Sequence, residues 1–384
     1  MNSRTQYNVV FPLAKRDEYA SNETVDFVIS LANKKLVPNS LVICGDCAVY
    51  KTKGANSAGS TPMVEGDQVL IDADAAYHSL FRDFTTEMRD VGLAESFSYY
   101  PRYVKMLHQS KVYRDSLGTE TDNCIEGVCP TEVVRQGYNL GLGATAATAF
   151  VPFALKPKIA ANKADVGLPG NQVGTLRIRT RLAPDDEVCF GADSASAGYF
   201  IKNLQIRYET VDDDGTRPPI NMEVYNVNRQ VIETNQANLA TFVPGLSDSV
   251  HMSFNLVADE GTATKNYLQC QTLPGKALGG GGTIVSNNGP ERLYYSINDT
   301  QTSLVGFTME SRDEVLYNYL RSWNMEPKAY VQTQRSLNSN KTFGIGIPFG
   351  GLIDFSSKKF AVDIDSEVSN PTATYLYFKG MVSL

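Results

Sequence analysis

Apolar and polar positions alternate with a period of two along much of the chain, the spacing of strands that bury one face. The clearest run is Leu176, Ile178, Thr180 and Leu182, interleaved with Arg177, Arg179 and Arg181. It predicts a strand with one apolar and one solvated face. Val25, Phe27, Ile29 and Leu31 carry the same period. Leu41-Val42-Ile43 and Ala48-Val49-Tyr50 predict a strand over 40–50, and Val69-Leu70-Ile71 a short one. Phe150 to Ile159 contains Pro152 and Pro157, which cannot donate to a ladder, so this strand belongs at a sheet edge. Phe200, Ile201, Leu204, Ile206 and Tyr208 predict another strand. The second half repeats the pattern at Met222–Tyr225, Val250–Leu256, Leu293–Ile297, Leu304–Met309, Phe343–Ile347, Phe360–Ile364 and Thr374–Val382.

Three stretches depart from period two. Tyr77, Leu80, Phe81, Phe84, Met88 and Val91 fall at helical spacing, although Phe84–Met88 also fits a strand. Tyr103, Met106 and Leu107 predict a short helix after Pro101. Val315, Leu316, Tyr319, Leu320 and Trp323 predict a helix, and Ser311-Arg312-Asp313-Glu314 suits its N-terminus. Segments 51–65 and 111–139, and the run Gly279 to Gly282, read as loops.

Residues 1–22 are polar apart from Val9-Val10-Phe11 and read as an N-terminal arm. Asp212-Asp213-Asp214-Gly215-Thr216-Arg217-Pro218-Pro219 combines charge, glycine and proline and reads as a linker. The expected division is an arm over 1–22, one unit over 23–214 and a second over 215–384. The closing order of the two units matches. The first ends with Val151-Pro152-Phe153, the strand Leu176 to Leu182 and the aromatic strand Tyr199 to Tyr208. The second ends with Ile347-Pro348-Phe349, Phe360 to Ile364 and Tyr375-Leu376-Tyr377-Phe378. Many short strands without strand–helix alternation predict an all-β chain with short helices, built as two tandem sandwiches.

The 384 residues suit two or three domains at roughly 150 residues each. A hydrophobic content of 42% is enough for real cores. The 20 Tyr and 17 Phe suit strands, while only 3 His lower the expectation of metal or acid–base chemistry. Met1-Asn2-Ser3-Arg4 opens no apolar segment, so no signal peptide is expected. Six Cys in so long a chain do not make a disulfide framework, and a reducing compartment is expected. Net charge is −7, and Arg4, Lys15 and Arg16 are offset by Asp17 and Glu18. That is too little positive charge to condense a genome, so no sequence-specific nucleic-acid contact is expected.

Candidate chemistry is sparse. Gly141-Leu142-Gly143-Ala144-Thr145-Ala146 has the G-x-G-x-x-A spacing of a dinucleotide loop, but lacks the strand before and the helix after that phosphate binding needs. Cys44-Gly45-Asp46-Cys47 has C-x-x-C spacing, and Cys124 with Cys129 could complete a zinc site. The flanks are strand-like and the second pair is spaced by four residues, so buried free cysteines are the simpler reading. Asp72-Ala73-Asp74 and Asp212-Asp213-Asp214 lack the spacing of a calcium loop and read as solvated turns. His78, His108 and His251 lie in no metal-binding frame. The sequons at Asn22, Asn298 and Asn340 need a secretory route to be used. No catalytic residue and no cofactor are expected, and the chain is expected not to be an enzyme.

The chain resembles the double jelly-roll major capsid proteins of tailless icosahedral DNA viruses, of the virophage and Polinton-like type. In the first half the likeness is carried by Tyr99-Tyr100-Pro101, Phe153-Ala154-Leu155-Lys156-Pro157, the arginine-rich strand and Tyr199-Phe200-Ile201-Lys202-Asn203-Leu204. In the second it is carried by Phe343-Gly344-Ile345-Gly346-Ile347-Pro348-Phe349-Gly350 and Ala373-Thr374-Tyr375-Leu376-Tyr377-Phe378. The resemblance implies two eight-stranded jelly rolls and a homotrimer that tiles an icosahedral shell as a pseudo-hexagon. It implies neighbouring capsomers, vertex and minor capsid proteins as partners, allows an internal membrane, and places the protein in the virion. Residues 51–66, 110–140 and 260–290 would be outer or inter-subunit loops, and the arm would run beneath the shell. Two other readings stay open: a vertex (penton) or minor capsid protein, and a carbohydrate-binding sandwich of lectin or fibre type. A hydrolase on a sandwich scaffold, with paired carboxylates, is a third.

Overall fold

The computed structural model describes residues 5–64, 66–72, 75–110, 150–243, 245–262, 264–269, 277–278, 284–285, 292–298, 300–301, 307–308, 312–323 and 344–384. The first half contains β1 (Gln6–Val10), β2 (Thr24–Ser30), β3 (Val42–Thr52) and β4 (Phe81–Met88). It continues with β5 (Leu93–Phe97), β6 (Val151–Leu155), β7 (Thr175–Leu182) and β8 (Gly198–Asp212). One sheet runs β1-β8-β3-β6 and the other β2-β7-β4-β5, all antiparallel. The pairs β1·β8, β2·β7, β3·β6 and β4·β5 are those of one long hairpin. Rolling that hairpin sends alternate pairs to opposite sheets and adds β8·β3 and β7·β4. This is a jelly roll.

The second half repeats the wrap. Its strands are β9 (Asn221–Ile232), β10 (Asn238–Phe242), β11 (Leu246–Leu256), β12 (Arg292–Ile297), β13 (Thr300–Gln301) and β14 (Phe307–Thr308). They are followed by β15 (Ile345–Asp354), β16 (Lys359–Ile364) and β17 (Thr372–Ser383). The sheets run β9-β17-β11-β15 and β10-β16-β12, and both β13 and β14 pair with β12. The fifth position of this roll is thus filled by two short pieces. The matching closing order in the sequence is structural: β6, β7, β8 and β15, β16, β17 occupy the sixth, seventh and eighth positions of their rolls.

Alternation decides which face each strand buries. In β7, Leu176, Ile178, Thr180 and Leu182 point into the sandwich, and the three arginines point out. Outside, Arg177 and Arg179 grip Asp26 at 3.2 and 2.9 Å. Burial alone would raise the Asp26 pKa, but the two guanidiniums together outweigh it and hold the carboxyl below its ordinary range. Pro152 sits in β6, which among the described residues pairs only with β3 and is an edge, where a missing N–H costs no ladder bond. Gly45 is needed in β3 because a Cβ there would lie 3.0 Å from Phe153 Cζ and 3.2 Å from Ile201 Cγ2.

Several expectations are amended. Gln6–Val10, expected inside an arm, is a strand of the first sheet, because Val10 pairs against Ile206 and Asn8 against Tyr208. The ambiguous stretch after Tyr77 splits into a 3-10 turn, Ala76–Leu80, and β4. Val69–Ile71 reduces to a bridge between Leu70 and Phe190. The segment expected as a linker is tied down: Lys34 binds Asp212, Lys35 binds Asp214, and Arg217 binds Asp213 at 3.0 Å. Hydrogen bonds from Lys35 and Thr216 hold the Asp214 carboxyl well below the usual range. One continuous apolar cluster runs through both rolls. No helix among the described residues is long and apolar enough to cross a membrane.

Candidate functional site

Cys44 and Cys47 both lie on β3. A strand turns successive side chains to opposite faces, so residues three apart diverge. Cys47 points inward and is fully buried, while Cys44 points outward opposite Gln205. Their spacing therefore does not bring two thiolates together. Cys124, Cys129 and the Gly141–Ala146 loop lie outside the described residues. Cys44, Cys47 and Cys189 are free and buried. Burial pushes all three thiols up, so they stay protonated and poorly suited to metal or nucleophilic chemistry.

Among the described residues, aromatic and charged side chains gather at the joint between the rolls. Helix α1 (Tyr100–Ser110) connects the fifth and sixth positions of the first roll. Its Tyr100, Arg102, Tyr103, Val104 and Met106 are all at most 1% exposed. A helix buried all round needs partners on every side, and the second roll supplies many of them. Phe378 packs on Phe355 and Phe360 inside the second sandwich, so alternation turns Tyr375 and Tyr377 outward toward α1. Tyr377 Oη donates to the Tyr99 carbonyl at 2.8 Å, and the Tyr99 and Tyr375 rings meet edge-on at 5.1 Å. Tyr103 packs on Tyr225 at 4.6 Å and on Trp323 at 5.4 Å.

Arg102 is the centre of this joint. Its guanidinium donates to the carbonyls of Gln269 and Tyr267 and lies 4.1 Å from the Tyr375 ring centroid. A planar fork that also stacks on a ring is what arginine offers and lysine does not. Helix α2 (Arg312–Ser322), between the fifth and sixth positions of the second roll, touches α1 through Tyr319 Oη, which donates to the Met106 carbonyl at 2.6 Å.

Charges are buried here too. Lys105 binds Asp72, to which Asn266 also donates at 2.6 Å. Lys163 binds Glu223 at 2.5 Å and lies 4.2 Å from the Tyr225 ring centroid. Burial pushes Glu95 up to about 7, although the Ala160 N–H donates to its Oε2 at 2.8 Å. His251 stacks on Trp323 at 3.7 Å, and burial pushes its pKa well down, so it stays neutral. Buried ions are repaid only by good geometry and complete hydrogen bonding. Glu187 is also pushed up to about 7 by burial, despite Arg82 at 3.4 Å. Neither of these two carboxyls lines the large cavity described next. These contacts hold the two rolls together.

The first roll has a corresponding outer sheet face, and it differs. A small cluster of Ala48, Tyr50 and Phe200 covers one end. Beyond it lies a cavity of about 1010 Å³ between the 11–18 segment and β8. The cavity follows from a ladder gap. Residues 206–210 pair with β1 and residues 200–201 with Tyr19–Ala20, leaving 202–205 without a ladder partner on that side. The bulge at Lys202/Gln205, with Asn203 at φ +53°, lies at the same place. Lys15, Arg16, Lys202 and Arg207 line it together with Asp17 and Asp46. Beside it Tyr7, Val9, Phe11 and Leu13 are 81, 50, 49 and 65% exposed. In the sequence this stretch stands out only as the apolar break Val9-Val10-Phe11. The period-two row Tyr7, Val9, Phe11, Leu13 was the available signal for an outward-facing strand.

No family model and no curated protein matches the sequence. Solved structures do match in fold. The Faustovirus major capsid protein superposes with a TM-score of 0.59 at 8% identity, covering 100% of this chain and 90% of that one. A chain of the Sputnik virophage gives 0.55 at 11% identity, covering 99% and 86%. The mavirus major capsid protein gives 0.51 at 10% identity, covering 98% and 86%. The chain therefore has the fold of these viral proteins across nearly its whole length.

Proposed function

We propose that the chain is a major capsid protein that assembles as a homotrimer into pseudo-hexagonal capsomers of an icosahedral virion. The observation that carries this reading is the repetition of one wrap in two rolls, fused through the buried α1. Two similar rolls held at a fixed angle make a building block: three copies place six similar bodies around one axis, and six-fold tiles fill a flat facet. The likeness in fold to viral major capsid proteins supports the same reading. The role is structural rather than catalytic. The expected partners are other copies of the chain, then vertex and minor capsid proteins, with an internal membrane as a further neighbour. The chain would assemble inside the host cell and reside in the virion.

The test is the mass of the purified chain by light scattering across a concentration series. The expected species is three times the 42.1 kDa chain. A monomer at every concentration overturns the proposal, and a pentamer moves the role to the vertex.

A further inference from the structure

One arrangement in the joint brings an amine, a side-chain amide and a carboxylate to a single point. Lys105 on α1 and Asn266 in the second roll both donate to Asp72 Oδ2, the amide at 2.6 Å. Two nitrogens held on one oxygen lie at most about 5 Å apart. Lys105, Asn266 and Asp72 are 6, 6 and 1% exposed. Each partner is fixed from its other side. Asp72 Oδ1 accepts the Ala75 N–H at 2.8 Å, and Asn266 Oδ1 accepts the Leu268 N–H at 2.9 Å. Arg102 anchors the segment that carries Asn266 by donating to the Tyr267 and Gln269 carbonyls. Ala75, Tyr267 and Leu268, close to these groups in the chain, pack together as a small apolar cluster.

A buried ion pair needs further hydrogen bonds, but it does not need an amide to supply them. In the same joint the Lys163–Glu223 pair is completed by a tyrosine, Tyr103, whose hydroxyl accepts from Lys163 at 2.8 Å. At Asp72 the third group is instead one that an amine can attack. We propose that Lys105 and Asn266 join covalently, through an amide between Lys105 Nζ and Asn266 Cγ, and that Asp72 carries the protons. The bond ties α1 of the first roll to the second roll and closes a covalent loop across the segment 212–219. It forms once, inside the folded chain, and does not rest on the capsid reading.

The parts supply what the reaction needs. Away from water, a lysine–carboxylate pair has access to its neutral form, an amine beside a carboxylic acid, and the neutral amine is the nucleophile. Asp72 takes a proton from Lys105 Nζ, and Nζ forms a bond to Asn266 Cγ. The carbonyl electrons move onto Asn266 Oδ1, where the Leu268 N–H holds the developing charge. Asp72 then gives its proton to Asn266 Nδ2 and takes another from Nζ. As the electrons on Oδ1 return, the Cγ–Nδ2 bond breaks and ammonia leaves. The new amide keeps one proton, ammonia carries off three, and Asp72 holds the last. Nothing is oxidised or reduced. Asp72 itself is the poorer electrophile, since a carboxylate repels an incoming electron pair. Holding the groups together in the fold replaces an encounter between them in solution.

Mass spectrometry of the purified full chain, denatured after prolonged incubation in its folded state, tests this. The intact mass is expected to lie one ammonia below that of the sequence. A protease digest is expected to yield a branched peptide that contains both Lys105 and Asn266. Lys105→Arg keeps the charge without the nucleophile and is expected to lose both signals. Asp72→Ala is expected to slow formation of the branched peptide by at least about a hundredfold. Circular dichroism and melting establish that each variant folds, and where one does not, the wild-type mass and digest decide alone. A wild-type chain at its full sequence mass, with no branched peptide, overturns the proposal. A loss of one water, with Lys105 joined to Asp72, overturns the choice of Asn266. A branched peptide that forms at the wild-type rate in a folded Asp72→Ala variant overturns the role given to Asp72.

Discussion

At the scale of single residues, the joint is sensitive to pH through Glu95. Its pKa is pushed up to about 7 by burial, against an ordinary value of 4.5. Between those values the folded chain holds a proton that the unfolded chain has released. Stability attributable to this group therefore falls as pH rises through that window. Glu95→Gln removes the penalty. The variant is expected to gain up to roughly 3 kcal/mol over wild type above pH 7, and nothing below the ordinary carboxylate pKa. Urea unfolding of both proteins at pH 8 and pH 4.5 checks this. An equal difference at the two pH values contradicts it. His251 works in the opposite sense, losing stability as pH falls below its ordinary value. Comparing variant with wild type at each pH cancels that contribution. Neither role was visible in the sequence, because a lone Glu or His says nothing about what another roll will bury around it.

At the scale of elements, strands were legible where alternation is strict and illegible where it is not. β7 could be read from its arginines alone, and the edge position of β6 from Pro152. β4 was ambiguous because Phe84 and Met88, four apart, satisfy both periods over so short a run. β1 was missed because Tyr7 and Val9 face outward and only Val10 packs on the core, which inverts the usual meaning of the pattern. The C-x-x-C spacing was resolved by the strand itself, which points Cys44 and Cys47 apart. For α1 the sequence supported a short helix, but not its burial between two rolls. Arg102 makes that burial consequential. Arg102→Ala leaves the Gln269 and Tyr267 carbonyls without their guanidinium donor and removes the ring contacts. The expected cost is about 3 kcal/mol or more. Calorimetry is expected to resolve one unfolding transition into two as the rolls uncouple. Arg102→Lys is expected to recover only part of the loss, since an ammonium lacks the fork. A variant that melts as one unit at the wild-type temperature contradicts this role for α1.

At the scale of the whole molecule, the two halves are the same wrap with different outer surfaces. The second roll turns tyrosines outward from β17 and has them covered by α1. The first roll turns Lys202, Gln205 and Arg207 outward from β8 and leaves them at the surface. That asymmetry is what a repeated unit needs if one of its contacts is made inside the chain and the other between chains. The closing order of strands let the sequence announce the repetition. The asymmetry could not be read there, because it depends on which residues the helical connections reach.

Electron microscopy of the purified full-length chain tests the central claim most directly. The account predicts particles with a six-sided outline and three-fold symmetry, each edge formed by one jelly roll. Particles of a single two-lobed chain, or five-fold rings, would contradict it.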